Sequence, residues 1–229
     1  MNKGPKKKQN KKSTIVREHK RKVPKSKKNP KGFTIVDRHT RRLPGTYLDA
    51  NQIKKIFKNY DKKKIPYPTK NKLKKYKNAD KYDDLIAVWT DFFNKKFEAK
   101  PLLEPDVVKA LIASESGFRE YPAENRKIAL GITQITKPTI KILQDPKGEA
   151  RKFTFKGIRQ KDLKYPYIAI PMGIRWLFRK RATAKSKLKR TPTHVELILE
   201  YKGLLRSKTE WKKKALINYK RNYEKLKKK

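Results

Sequence analysis

Among the residues able to do chemistry, one carboxylate is in an unusual place. Between Asp106 and Ser116, the residues Val108, Leu111, Ile112 and Glu115 fall at i, i+3, i+4 and i+7. That is the spacing of one helix face, so Glu115 continues an apolar stripe near the end of a helix. A glutamate facing a core is uncommon unless it is paired or used. Burial disfavours the charged form of a carboxyl, and the general acid of a glycosidase must still carry its proton near neutral pH. The formal net charge of +44 works against that state, so local desolvation has to win if Glu115 is an acid. The pattern alone leaves a structural buried glutamate and a catalytic one both open. A second polar group lies downstream in Ala129-Leu130-Gly131-Ile132-Thr133-Gln134-Ile135, followed by Pro138-Thr139. A glycine beside apolar residues, then an amide and a helix start, suits a turn that presents Gln134 to a cleft. An ordinary capping loop would read the same way. His19, His39 and His194 do not cluster and cysteine is absent, so no zinc site, thiol chemistry or disulfide is expected, and no cofactor is implied.

The elements that must position these groups read as mainly α. Leu85, Val88, Trp89, Phe92, Phe93 and Phe97 form a helical stripe behind Asp83 and Asp84, whose charge suits a helix N-terminus, so the folded core is expected to start at residue 83. The Glu115 helix opens at Pro105-Asp106 and closes at Gly117. A third helix starts at Pro138, and a fourth runs from about Pro171 through Ile174, Trp176 and Leu177. A fifth carries Val195, Ile198, Leu199, Tyr201 and Leu205, and a basic tail helix aligns Trp211, Ala215, Leu216, Tyr219 and Tyr223. No alternating strand stands out after residue 83. Ahead of this domain, 83–229, residues 47–82 read as a basic helical linker. Ile53, Ile56, Phe57 and Tyr60 predict a helix near 50–60 there, before Pro66 and Pro68 break the chain; it is expected to pack on the next domain, although basic residues interleaved with aromatics can also serve nucleic-acid binding.

Residues 1–46 read as a basic, largely disordered arm: seventeen Lys and Arg against Glu18 and Asp37 leave about +15, with little apolar surface to offset chain entropy. The arm holds an internal repeat. Thr14-Ile15-Val16-Arg17-Glu18-His19-Lys20-Arg21-Lys22-Val23-Pro24 matches Thr34-Ile35-Val36-Asp37-Arg38-His39-Thr40-Arg41-Arg42-Leu43-Pro44 in the pattern T-I-V-x-x-H-x-R-x-x-P. Two copies are too few for a solenoid, and they read as short motifs for an anionic polymer or a protein partner, or as a duplicated linker. The charge points to a polyanionic setting, whether nucleic acid, anionic cell wall or anionic membrane, or else reflects in part a lysine-biased composition spread over solvated faces. A membrane-disrupting role is the weakest of these, because the basic runs lack a sustained apolar face. Neither a transmembrane run nor a signal peptide is visible. A substrate outside the cytoplasm would therefore call for delivery by a phage particle or a dedicated export machine.

At this point the chain resembles a known family. Ala110-Leu111-Ile112-Ala113-Ser114-Glu115-Ser116-Gly117-Phe118 looks like the catalytic stretch of the soluble lytic transglycosylases, relatives of goose-type lysozyme, where an apolar helix ends in Glu-Ser-Gly-Phe. Ala129 to Gln134 is similar to their Ala-x-Gly-Leu-Met-Gln motif. Ile170, Gly173, Trp176 and Leu177 resemble their Ile-x-x-Gly-x-x-Tyr-Leu helix, and Glu200-Tyr201-Lys202-Gly203 falls where they have Ala-Tyr-Asn-x-Gly. The likeness covers about residues 85–206. Thr133 replaces the usual Met, Lys202 replaces the usual Asn, and Lys137 displaces a proline by one position. The resemblance implies a lysozyme-like domain that degrades peptidoglycan at the β-1,4 bond between N-acetylmuramic acid and N-acetylglucosamine. Glu115 would act as the acid, Ser116 and Gln134 would contact the sugar or orient Glu115, and Tyr201 would hydrogen-bond the Glu115 carboxyl. Tyr201 also fits a plain core role beside Leu197, Ile198, Leu204 and Leu205. A two-carboxylate hydrolase would need a second acid, for which Glu104, Glu120 and Glu124 qualify by proximity alone. The competing reading is a nucleic-acid or polyanion-binding particle protein whose lysozyme-like domain is inactive.

Overall fold

The computed structural model describes residues 13–16, 19–22, 30, 33–36, 39–42, 47–120, 129–207 and 210–228, in two units that divide after Gly45. Glu124 and the segments of the arm between its strands lie outside the described residues, and the expectation of disorder there lies outside them too.

In the first unit each repeat supplies two strands: β1 (Ser13–Val16) and β2 (His19–Lys22) from the first copy, β3 (Phe33–Val36) and β4 (His39–Arg42) from the second. They pair crosswise and antiparallel, β1 with β4 and β2 with β3. Thr14 faces Arg41 and Thr34 faces Arg21, while Val16 faces His39 and Val36 faces His19, so the two copies are related by an approximate two-fold. The crosswise choice sets each β-branched strand against a basic one.

The second unit, 46–229, is built on helices. A two-residue strand β5 (Tyr47–Leu48) leads into α1 (Ala50–Lys58), which opens on a capping box between Asp49 and Gln52. Residues 59–82 contain no regular element, yet Leu73, Ala79 and Tyr82 are buried in the same core as Leu48, Ile53, Trp89 and Ile112. Residues 47–82 thus pack on the helices that follow. These are α2 (Asp83–Phe97), α3 (Pro105–Glu115), α4 (Lys137–Gln144), α5 (Pro166–Leu188), α6 (His194–Tyr201) and α7 (Glu210–Lys227). Among the described residues, no helix is long and apolar enough to cross a membrane.

The helix boundaries differ from expectation in two places. α5 begins at Pro166, not near Pro171, which lies inside it. Pro166 takes the first helical position, where its missing N–H has no intrahelical partner to lose and its fixed φ suits the helix. α6 stops at Tyr201, short of Leu205, because Gly203 turns the chain at φ +74°. Short strands also appear where none was expected: β6 (Ala129–Leu130) with β7 (Ile135–Thr136) as a hairpin, and β8 (Thr154–Phe155) parallel to β5. Two residues per strand are too few to show an alternating pattern.

α3 is buried on every side from Pro105 to Ala113, lying between α2 and α7. This central position carries a fully buried lysine. Lys109 Nζ donates to the Thr69 carbonyl at 2.9 Å and pairs with Asp80 at 2.5 Å and Asp83 at 2.8 Å. Asp106, one turn earlier, accepts from the Thr69 backbone at 2.7 Å. Four polar contacts therefore tie the irregular segment before α2, and the first residue of α2, to the helix that ends in Glu115.

Candidate active site

Glu115 is the last residue of α3, with Ser116 as C-cap. Gly117 and Phe118 follow at φ +60° and +63° and turn the chain sharply. Phe118 is fully buried, stacked on Tyr82 and edge-on to Tyr76. Segment 69–82 thereby anchors the turn that leaves Glu115 at the helix end. The Glu115 side chain keeps 15 % of its surface exposed, at the margin of the core.

Facing this end is the β6–β7 hairpin, whose turn spans residues 131–134. Three elements hold the turn. From α3, the buried Ser116 hydroxyl donates to the Ile132 carbonyl at 2.8 Å. On the α5 side, the Ala169 carbonyl accepts from the Thr133 hydroxyl at 2.9 Å. From α6, the Tyr201 hydroxyl donates to the Thr133 carbonyl at 2.7 Å. The hydrogen bond expected from Tyr201 to Glu115 is therefore not made. Burial and, after it, the Glu115 charge hold the Tyr201 phenol well above the usual range, so it remains a donor. Tyr201 positions the hairpin, and Ser116 does the same from the other side. Gln134 sits in the left-handed region at φ +51°, half-buried, with its side-chain amide donating to the Gly131 carbonyl at 2.9 Å.

Two glycines make this packing possible. At Gly131, φ is +72° and a Cβ would lie 2.2 Å from the Leu163 carbonyl oxygen. At Gly173, a Cβ would lie 2.6 Å from Thr133 Cγ2. Thr133, in the place of a Met, thus fills the space beside α5 with its methyl while its hydroxyl satisfies the Ala169 carbonyl. Gly131→Ala is expected to destabilise the protein by about 2 kcal/mol or more, since a non-glycine residue there meets both a strained φ and backbone it cannot displace. A urea unfolding curve with an unchanged midpoint would contradict this.

The polar partner of Glu115 is one the sequence reading missed. Lys202 Nζ, at the C-cap of α6, donates to Glu115 Oε1, and the two side chains are about equally shielded, at 16 % and 15 % exposure. The contact joins residues 87 apart, and no local pattern announces it.

The proposed second acids are engaged elsewhere. Glu104 pairs with Lys227 at 2.7 Å and accepts from Tyr223 at 3.2 Å, and the Lys227 bond holds its carboxyl below the usual range. Glu120 accepts from Tyr82 and pairs with Lys81 at 3.1 Å, and the Tyr82 bond lowers it likewise. His194 is half-buried at the start of α6, bonded through Nδ1 to the Tyr219 hydroxyl at 2.9 Å, and burial lowers its pKa.

A comparison with curated protein sequences gave no match. The family model described as the transglycosylase SLT domain matches residues 92–222, more than half of the chain and all of the site elements above. The mainly α unit is thus the lysozyme-like fold of that family, and the chain belongs to the transglycosylase SLT-domain family.

Proposed function

We propose that this protein is a lytic transglycosylase that cleaves the β-1,4 bond between N-acetylmuramic acid and N-acetylglucosamine, with Glu115 as both acid and base. Membership of the family supports peptidoglycan degradation in general. The observation that carries the finer reading is a single shielded carboxylate at the end of a buried helix, opposite a hairpin clamped from three elements. The two described candidates for a second acid are bound to other partners.

Protonated Glu115 gives its proton to the bridging oxygen as the bond from C1 of the muramic acid breaks, through an oxocarbenium-like transition state. The carboxylate then takes the proton of the sugar's own 6-hydroxyl as that oxygen closes on C1. The product is a 1,6-anhydro ring, no water is consumed, and Glu115 ends protonated as it began. Gln134 lines the cleft as a sugar contact, while Ser116 and Tyr201 act by fixing the hairpin. The positive surface holds anionic wall polymer, and a phage particle or an export machine brings the protein to the wall.

Digestion of purified peptidoglycan with product masses read by mass spectrometry tests this reading. Anhydro-muropeptides are expected; reducing-end products would mean a hydrolase. A second reading, polyanion binding, is favoured by the +44 charge and by the basic strands of the first unit. It predicts DNA affinity that falls steeply with salt and no wall products.

A further inference from the structure

The Glu115–Lys202 pair goes beyond this reading and rests on it. Among the described residues, Lys202 is the one recorded polar partner of the Glu115 carboxyl. The other polar groups nearby are turned to backbone carbonyls: Ser116 to Ile132, Gln134 to Gly131 and Tyr201 to Thr133. Among the described residues, the charge of Glu115 also reaches the Tyr201 phenol and helps keep it protonated. On the loop after α3, the Arg119 Nε is turned to the Ser116 carbonyl.

An acid must hold a proton and face the oxygen that receives it. An ammonium in contact with the carboxyl opposes the second, since it occupies one of its oxygens. At about one-sixth exposure the pair is only weakly screened by salt. The backbone under Lys202 is fixed by its N–H bond to the Ile198 carbonyl at 3.0 Å and by the Tyr201 anchor before it. The lysine stem above that point has four rotatable bonds and can swing clear. We propose that Lys202 is a positioning residue that holds the Glu115 carboxyl in an ion pair, so that the entering glycan has to open the pair before Glu115 can face the glycosidic oxygen.

The test uses the full chain and compares Lys202→Met and Lys202→Arg with wild type. Two readouts are taken: KM and kcat separately on peptidoglycan, and the Kd for a hexamer of N-acetylglucosamine by calorimetry. Lys202→Met is expected to lower KM several-fold while kcat changes less. It should also tighten hexamer binding several-fold, because no ion pair must open. Lys202→Arg keeps the cation and should follow wild type. Lys202→Gln serves in place of Met if the latter unfolds. A neutral variant whose KM and Kd overlay wild type would overturn the proposal. So would one with a higher KM and weaker hexamer binding, which would make Lys202 a sugar contact. Both results require an active wild type. A wild type that neither cuts the wall nor binds the hexamer defeats the transglycosylase reading, and this proposal with it.

Discussion

Glu115→Gln is expected to slow peptidoglycan cleavage about a thousandfold while leaving the thermal midpoint within about 1 °C of wild type. The size follows from the role: losing a positioned acid–base group typically costs between a hundredfold and ten-thousandfold, and here one group serves both proton transfers. Glutamine keeps the shape of the side chain, and its carbonyl can still accept from Lys202 Nζ, so α3 and the hairpin should pack as before. What it cannot do is give or take a proton. Release of anhydro-muropeptides over time is the measurement. A variant that retains a tenth or more of the wild-type rate would remove Glu115 from the acid role. A variant that is inactive because its midpoint has collapsed would make Glu115 a structural residue, the alternative its apolar-face position left open.

The legibility of this site in the sequence was uneven, and the reasons are physical. The i, i+3, i+4, i+7 spacing of Val108, Leu111, Ile112 and Glu115 is local, and so is the stop at Gly117; both appear in α3 as expected. The turn at Gly131 to Gln134 was also legible, because a glycine required by a positive φ and a close backbone leaves a mark on composition. The partners of the polar groups were not legible. Tyr201 was expected on Glu115 and is found on the Thr133 carbonyl, since a hydroxyl takes whichever acceptor the packing brings near and sequence spacing does not record that. Lys202 stood out as a departure from the family pattern, but nothing local paired it with Glu115; Lys109 reads as one of many exposed lysines, and a chain this basic hides the one that is buried. The part played by residues 59–82 was hidden for another reason. Leu73, Ala79 and Tyr82 enter the core from irregular backbone, which has no period to detect.

Lys109 shows what such a hidden residue contributes. Lys109→Met is expected to destabilise the protein by about 3–5 kcal/mol at pH 7.5, because it leaves carboxylates on α3's flank without their cation. In a domain of this size that is a fall of roughly 10 °C or more in the thermal midpoint. Asp80 keeps a third of its side chain exposed and can turn to water, whereas Asp83 is almost fully buried and cannot. Burial already pushes the Asp83 carboxyl up to about 6 against the pull of Lys109, and removing the ammonium moves it further up. A carboxyl whose pKa is higher folded than unfolded binds its proton more tightly in the native state. Its contribution to stability is therefore greatest below the unfolded value of 3.8 and is lost as pH rises through the folded one. The penalty of Lys109→Met should accordingly be smaller at pH 5 than at pH 7.5, and adding Asp83→Asn should recover part of it at the higher pH. Urea unfolding followed by circular dichroism at the two pH values checks both statements. An equal loss at both would shift the cause from the buried charge of Asp83 to the bond that Lys109 gives the Thr69 carbonyl, which does not titrate.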